Sequence, residues 1–378
     1  MNVAVGMRWV GTWACGPQLT EPENLPPASL KDNTLRQVVY VSIGGSRLRV
    51  QLSNAFGDGP VTMNAVHIAV STQRGAIAPE TDRALTFNNS PSVTIAPGDT
   101  VFSDPIDFEL APCSKLAISI FFGTVPTDIT GHPGSRTNSY LAPGNALSEP
   151  DLSSAVRTAH WYFITGVDVL ASERAAAIVI LGDSITDGRG STTDGNDRWP
   201  DFLSRRLRAN PVTVDIAVLN QGIGGNAVVS GGLGPTALRR FSRDVLEQRG
   251  VRWVIVLEGV NDIGGAADET MADRLISAYR EFIREAHSAG LLIYGVPILP
   301  FAGSQYYSEV HEKARQKVND WIRTSGEFDA VIDLEAVVRD PANPAALLPA
   351  YDSGDHLHIN PDGYEAMANA IDLSLFSR

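Results

Sequence analysis

Cysteine is nearly absent from this chain: its 378 residues include two, Cys15 and Cys113. Two thiols cannot make a disulfide scaffold, and they cannot form a zinc site by themselves. They leave room for one bridge in an exported protein or for two structural thiols. The seven histidines show no metal-ligand spacing near them. Long apolar runs are missing too, since nothing approaches the roughly 18 consecutive apolar residues of a membrane span. Positive charge is scarce, with 30 Lys and Arg against 43 Asp and Glu and a net charge of -13. Phosphates would be repelled, so nucleic acid and anionic membrane are excluded as main partners. The opening stretch from Met1 to Trp9 is too short and mixed for a signal peptide. The expectation is a cytoplasmic protein, or an exported one whose leader is not in this chain.

What is present is ordinary for a globular protein: 43% hydrophobic and 19% charged residues, and length enough for two domains. Residues 1–172 read as all-β. Arg47 to Ser53 alternates polar and apolar, and similar short runs occur at Leu35–Ile43, Asn64–Val70, Ser92–Ile95, Leu116–Phe122 and Trp161–Leu170. Turn signals separate them at Gly44-Gly45, Gly57 to Pro60, Pro97 to Asp99 and Pro133-Gly134. This pattern predicts a β-sandwich or jelly roll.

From Ala175 the texture changes, which puts a domain boundary near Ala171–Arg174 and a second domain at 173–378. Apolar strands are predicted at Ala177–Leu181, Val212–Leu219, Arg252–Leu257, Leu291–Val296 and Ala330–Leu334. Periodic helices lie between them. Glu269–Ala289 carries Met271, Leu275, Ile276, Tyr279, Phe282, Ile283 and Ala286 on one face and stops at Gly290. Glu309–Arg323 carries Ala314, Val318, Trp321 and Ile322 and ends at Gly326. After the first strand the apolar pattern resumes as a helix only near Trp199. Five strands alternating with helices predict a parallel sheet covered on both faces, an α/β/α arrangement.

In such a sheet the residues just past the strand C-termini converge on one edge. Those exits hold Gly182-Asp183-Ser184, Asn220 to Asn226, Gly259-Val260-Asn261-Asp262 and, after a Pro-rich loop, Asp355-His356-Leu357-His358. One edge thus collects a serine, glycines with accessible backbone N–H groups, a side-chain amide and an Asp/His pair. A serine hydroxyl needs a base within hydrogen-bond reach, imidazole suits that role, and a carboxylate fixes its tautomer. Glycine N–H groups and an amide suit an oxyanion. His356 is a rival base, with Asp352 four residues before it. Asp183 and Asp187 read as loop and turn residues, and Trp199 as a helix residue that could edge the site. His67, His132, His160, His287 and His311 read as structural or solvent-facing.

The four stretches resemble, in order, the four blocks of the SGNH, or GDSL, hydrolase superfamily, with Ile185 where the name-giving motif has Leu. The resemblance covers about 175 to 378. It implies a serine-dependent ester hydrolase with Ser184 as nucleophile, His358 as base and Asp355 as its orienting carboxylate. It assigns the oxyanion to the N–H groups of Ser184 and Gly225 and the amide of Asn261. It implies no metal or cofactor. Val10 to Ala14, Asn33 to Gln37 and Val41 to Val50 leading to Leu52–Gly57 look like bacterial members grouped with xylan-active esterases. The implied substrate is a small-molecule or glycan ester, with short acyl groups, acetate above all, on a sugar or other polar alcohol. The alternatives are longer acyl chains, as in lipases and thioesterases, or a catalytically silent glycan-binding protein. Pro300–Tyr307, with Phe301, Tyr306 and Tyr307, is either a lining of the acyl or alcohol pocket or a plain surface loop. Oligomeric state is not encoded in any of these patterns.

Overall fold

The computed structural model describes residues 6–266, 268 and 270–377. Glu269, the expected first residue of a helix, and residues 1–5 lie outside the described residues. The chain divides into two compact units: the described residues up to Ala175 together with Thr193–Asn196, and Ala176–Thr192 together with Asp197 onward. Cys15 and Cys113 are not joined in a disulfide; Cys15 is buried, and its thiol donates to the Ile164 carbonyl (3.4 Å).

The first unit is a β-sandwich of antiparallel sheets. One sheet runs Met7–Ala14, Ile164–Ser172, Gly45–Ser53, Thr100–Phe102, with Ile106–Leu110 also paired to Gly45–Ser53. A second runs Val156–Thr158, Ser139–Pro143, Asn33–Val41, Ser114–Phe122, Val61–Val70, Arg83–Ala84, with Val93–Ile95 on Val61–Val70, and a third joins Trp161–Tyr162, Thr130–His132 and Gln18–Leu19. The alternation in Arg47–Ser53 does what period 2 demands: Leu48, Val50 and Leu52 are fully buried. The intervening Arg49 lies between the rings of Trp9 and Phe102 and pairs with Asp168. Trp161–Leu170 is not one strand. Phe163 has φ +62, a left-handed turn of the backbone that ends Trp161–Tyr162 and redirects the chain into Ile164–Ser172, in a different sheet. Met7–Ala14 and Ser139–Pro143 are strands that the turn-and-alternation pattern alone passes over.

The second unit is built on five parallel strands: β1 (Ala176–Gly182), β2 (Ile216–Gly222), β3 (Val251–Leu257), β4 (Leu292–Gly295) and β5 (Ala330–Val331), in the order β2-β1-β3-β4-β5. β1 is buried along its whole length, which explains why it reads as a continuous apolar run rather than an alternating one. The helices are α1 (Ser184–Asp187), α2 (Trp199–Ala209), α3 (Ala237–Phe241), α4 (Val260–Gly264), α5 (Thr270–Ser288), α6 (Glu309–Thr324), α7 (Leu334–Val338) and α8 (Pro361–Ala370). α2 packs with α8, and α5 with α6, the latter pair through the stacked rings of Tyr279 and Trp321. Every apolar position singled out on α5 is buried. The architecture is therefore the expected three-layer α/β/α sheet domain preceded by a β-sandwich.

Three boundaries differ from the sequence reading. β2 starts at Ile216 because Pro211–Asp215 forms turns, held by Asn210 Oδ1 accepting from Val212 N–H and by Thr213 Oγ1 donating to the Leu207 carbonyl. β5 stops at Val331, since Asp333 caps α7 by accepting from Ala336 N–H, so Leu334 is helical. A helix also begins well before Trp199: α1 opens at Ser184 itself, capped by the Asp183 carboxylate.

The strand order fixes where a site can form. From β1 the chain crosses to β2 on one side and then back past β1 to β3 on the other. That reversal opens a crevice beyond the C-terminal ends of β1 and β3, where open α/β sheets place their ligands.

Candidate active site

Ser184 follows directly on β1. Asp183 Oδ1 accepts from Ile185 N–H (2.9 Å), and Gly188, at φ +101, closes the single turn in the left-handed region. The Ser184 side chain is presented at the start of α1, where first-turn N–H groups have no partner within the helix. Its Oγ lies 2.8 Å from His358 Nε2, and His358 Nδ1 lies 2.6 Å from Asp355 Oδ2. Asp355 also accepts through Oδ1 from the backbone N–H of His358 (2.8 Å) and Leu357 (3.1 Å), so one carboxylate fixes both the ring and the turn that carries it. Ser184 and His358 are 7% and 5% exposed. Burial pushes the Asp355 carboxyl up, but the hydrogen bonds and charge of His358 outweigh it and hold the group down at about 2. Asp355 is therefore ionised throughout the neutral range.

The rival histidine is elsewhere. His356 pairs through Nδ1 with Asp352 Oδ2 at 2.6 Å, the spacing-of-four partner, and its side chain is 55% exposed. Ser184 Oγ meets His358 instead. Trp199, the first residue of α2, is fully buried rather than at the edge of the site, and Asp187 is buried in α1.

Gly225 lies beyond β2 with φ +71, a conformation that favours glycine. Its N–H has no acceptor among the described residues, whereas its carbonyl accepts from Leu233 N–H at 2.9 Å. Gly222 is required for a different reason: a Cβ there would sit 2.3 Å from the Asp187 backbone nitrogen, so glycine lets β2 close against α1. Asn261, in the first turn of α4, donates through Nδ2 to the Asn226 carbonyl (2.8 Å), and its Oδ1 accepts from the Tyr306 hydroxyl (2.9 Å). The next residue, Asp262, accepts from the N–H groups of Val228 (2.7 Å) and Val229 (2.9 Å), so the Gly-Val-Asn-Asp stretch holds the glycine loop as well as carrying the amide.

Beneath these loops lies a polar layer that the motifs do not announce. Arg240 is completely buried. Its guanidinium donates to the Gly182 carbonyl (3.0 Å), the Gln221 carbonyl (2.7 Å) and Asn226 Oδ1 (2.9 Å), and meets Asp244 (3.1 Å) and Glu258 (3.3 Å). One cation thereby joins the exits of β1, β2 and β3. Asp244 is also held by Arg243, so it is the carboxylate these two arginines neutralise. Glu258 is pushed well above the usual carboxylate range by burial first and then by Asp183, more than Arg240 offsets. Its Oε2 has no hydrogen-bond partner among the described residues, a position far less costly for a neutral carboxyl than for an ion. The signal in the sequence was an arginine four residues before an aspartate, Arg240 and Asp244, the helical spacing of an ion pair.

Asp183 is pushed up to about 7, by burial first and by the nearby Asp262 and Asp187, against the Ile185 N–H and Arg240. Its folded value lies above its ordinary one of 3.8. The folded state therefore keeps a proton that the unfolded chain loses, and this contribution to stability is full below the ordinary value and fades as pH rises through about 7. Asp183→Asn preserves an oxygen for Ile185 N–H and removes the titration. Urea unfolding at pH 5 and pH 8 should show the variant losing less stability between the two than the wild type. Parallel losses would mean that Asp183 does not titrate in this window.

Among the described residues, no helix is long and apolar enough to cross a membrane, and no group of three or more His, Cys, Asp or Glu side chains is arranged to hold a metal ion. Residues 180–366 match the family model described as GDSL-like Lipase/Acylhydrolase. No curated protein sequence matches the chain. Solved structures that resemble it include a GDSL-like lipase from Bacteroides thetaiotaomicron VPI-5482, at 21% identity over 53% of this chain and 87% of that one (TM-score 0.40). The acetylxylan esterase Axe2 from Geobacillus stearothermophilus aligns at 21% identity over 52% and 91% (TM-score 0.40). A family two carbohydrate esterase from Cellvibrio japonicus aligns at 12% identity over 98% and 97% (TM-score 0.37). With its motif blocks at the strand exits and its family match over 180–366, the chain carries a GDSL-like lipase/acylhydrolase domain and is an ester hydrolase.

Proposed function

We propose that the protein hydrolyses carboxylic esters of short acyl groups, acetyl above all, on a carbohydrate or other polar alcohol, through an acyl-enzyme on Ser184. The observation that carries the mechanism is the continuous chain from Ser184 Oγ to His358 Nε2 (2.8 Å) and from His358 Nδ1 to Asp355 (2.6 Å). In this reading His358 takes the hydroxyl proton as Oγ attacks the ester carbonyl. Asp355, already ionised, stabilises the imidazolium and keeps its ring in register. The carbonyl oxygen becomes an oxyanion and is held by the N–H groups of Ser184 and Gly225 and the second amide hydrogen of Asn261. As the tetrahedral intermediate collapses, His358 returns the proton to the departing alkoxide, which leaves as the alcohol. Water, deprotonated by His358, then attacks the acyl-serine, and the proton goes back to Ser184 as the carboxylic acid leaves. The reaction as written draws on side chains and backbone alone.

The short-acyl reading rests on the resemblance of Val10–Ala14, Asn33–Gln37 and Val41–Gly57 to xylan-active esterases. One observation favours longer chains: Leu233 packs its side chain against Gly225 while remaining 49% exposed, an apolar surface next to the oxyanion glycine. Rates on 4-nitrophenyl esters from acetate to decanoate separate the two. The expected profile peaks at acetate and falls sharply beyond butyrate. A maximum at octanoate or longer would replace the acetyl reading with the lipase-like one.

A further inference from the structure

We propose that Tyr306 is a positioning residue for the oxyanion amide: its hydroxyl fixes which end of the Asn261 side chain faces the substrate. This rests on the oxyanion role read for Asn261 above. A side-chain amide has two nearly isosteric orientations, and only one presents N–H to an oxyanion. Two contacts select it. The Asn226 carbonyl can only accept, so it takes one Nδ2 hydrogen (2.8 Å), and the Tyr306 hydroxyl donates to Oδ1 (2.9 Å). The second Nδ2 hydrogen is then left for the crevice. The phenol is suited to donate: burial first, and the Asp183 charge next, push its pKa up, with Arg189 opposing.

The surroundings hold Tyr306 for this task. Gly264 is three residues beyond Asn261 on α4, the spacing that puts both on one helix face. A Cβ on Gly264 would lie 2.3 Å from the Tyr306 ring, so the glycine makes the place in which the ring sits beside Asn261. The Tyr306 carbonyl lies 2.6 Å from His311 Nδ1, and the Tyr306 N–H donates to Ser304 Oγ (3.2 Å). His311 also faces the Ala266 carbonyl through Nε2 at 3.1 Å, which joins the Tyr306 loop to the segment following α4. The Pro300–Tyr307 stretch is therefore not a plain surface loop. Phe301 is buried in the core, and Tyr306 reaches the amide.

A double-mutant cycle tests the assignment, using kcat and KM on 4-nitrophenyl acetate for wild type, Tyr306→Phe, Asn261→Ala and the double variant. Tyr306→Phe should lower kcat about tenfold with KM within about twofold, because an amide free to turn costs transition-state and not ground-state binding. Asn261→Ala should lower kcat by about 10²–10³-fold. In the double variant the hydroxyl should no longer matter, and kcat should equal that of Asn261→Ala. A Tyr306→Phe loss that persists at full size without Asn261 would overturn the proposal, as would an unchanged kcat in Tyr306→Phe alone. If Asn261→Ala itself leaves kcat unchanged, the oxyanion reading of Asn261 fails, which is a different result from a Tyr306 hydroxyl that does not act through it.

Discussion

Replacing Ser184 with alanine should reduce turnover of 4-nitrophenyl acetate by about four to six orders of magnitude, leaving a residue of catalysis above the uncatalysed rate. The size follows from the way a nucleophile and its base act as a unit: removing one disables both, while backbone donors and binding contribute a residual about 10³-fold over water. In the proposed mechanism the residual has a structural source, because alanine keeps the N–H at the head of α1 and leaves Gly225 and Asn261 untouched. The fold should survive. The Ser184 hydroxyl bonds to His358, and Asp355 anchors that ring and its turn independently of the serine. Urea midpoints should therefore change by no more than about 1 kcal/mol in stability terms. A variant that kept more than a few per cent of wild-type turnover would remove Ser184 as the nucleophile and point to attack by water or another residue.

The largest stability effect should come from Arg240→Ala. Breaking a buried ion pair by deleting one partner costs about 3–5 kcal/mol, since the remaining charge is stranded in a low dielectric. Against a typical total of about 5–15 kcal/mol, that is a substantial share of the whole. Arg240 is a strong case because its side chain has no exposure and three further acceptors, the Gly182 and Gln221 carbonyls and Asn226 Oδ1, lose their donor together, while the buried Asp244 is left with Arg243 alone. Chemical denaturation at pH 7 measures it directly. Glu258→Gln supplies the contrast. If burial holds Glu258 neutral, an isosteric neutral amide should cost about 1 kcal/mol or less. A Glu258→Gln penalty matching that of Arg240→Ala would show instead that Glu258 carries charge and that the arginine is shared between two carboxylates. An Arg240→Ala penalty below about 1 kcal/mol would mean that the loops are held by their other hydrogen bonds.

Much of the second unit was legible because its signals are local. β1 is a run of buried apolar residues, α5 repeats its apolar face at helical spacing, and Asp355 precedes His358 by the three residues that let one carboxylate bond both the backbone and the ring of the same turn. The misread boundaries share a cause. Val212 and Leu334 are apolar residues next to strands, but the side chains of Asn210, Thr213 and Asp333 bond nearby backbone groups and divert the chain into turn or helix. In the first unit Trp161–Leu170 looked continuous because a single left-handed residue, Phe163, leaves no mark in a hydrophobicity pattern.

The sequence by itself determined the order and chemistry of the four strand-exit stretches, because each is a short segment whose residue types suit one step of acyl transfer. It could not choose how they are held together. The Asp-x-x-His block already assigned the base to His358 rather than His356, but the way the rival is turned away is tertiary: the left-handed backbone at His356 (φ +60) sends that side chain to Asp352 and solvent. That Arg240 ties three strand exits, and that Tyr306 reaches the amide of Asn261 forty-five residues away, depends on long-range packing. A parallel sheet brings strand ends together whatever the separation along the chain, so these contacts exist only once β1, β2 and β3 lie side by side.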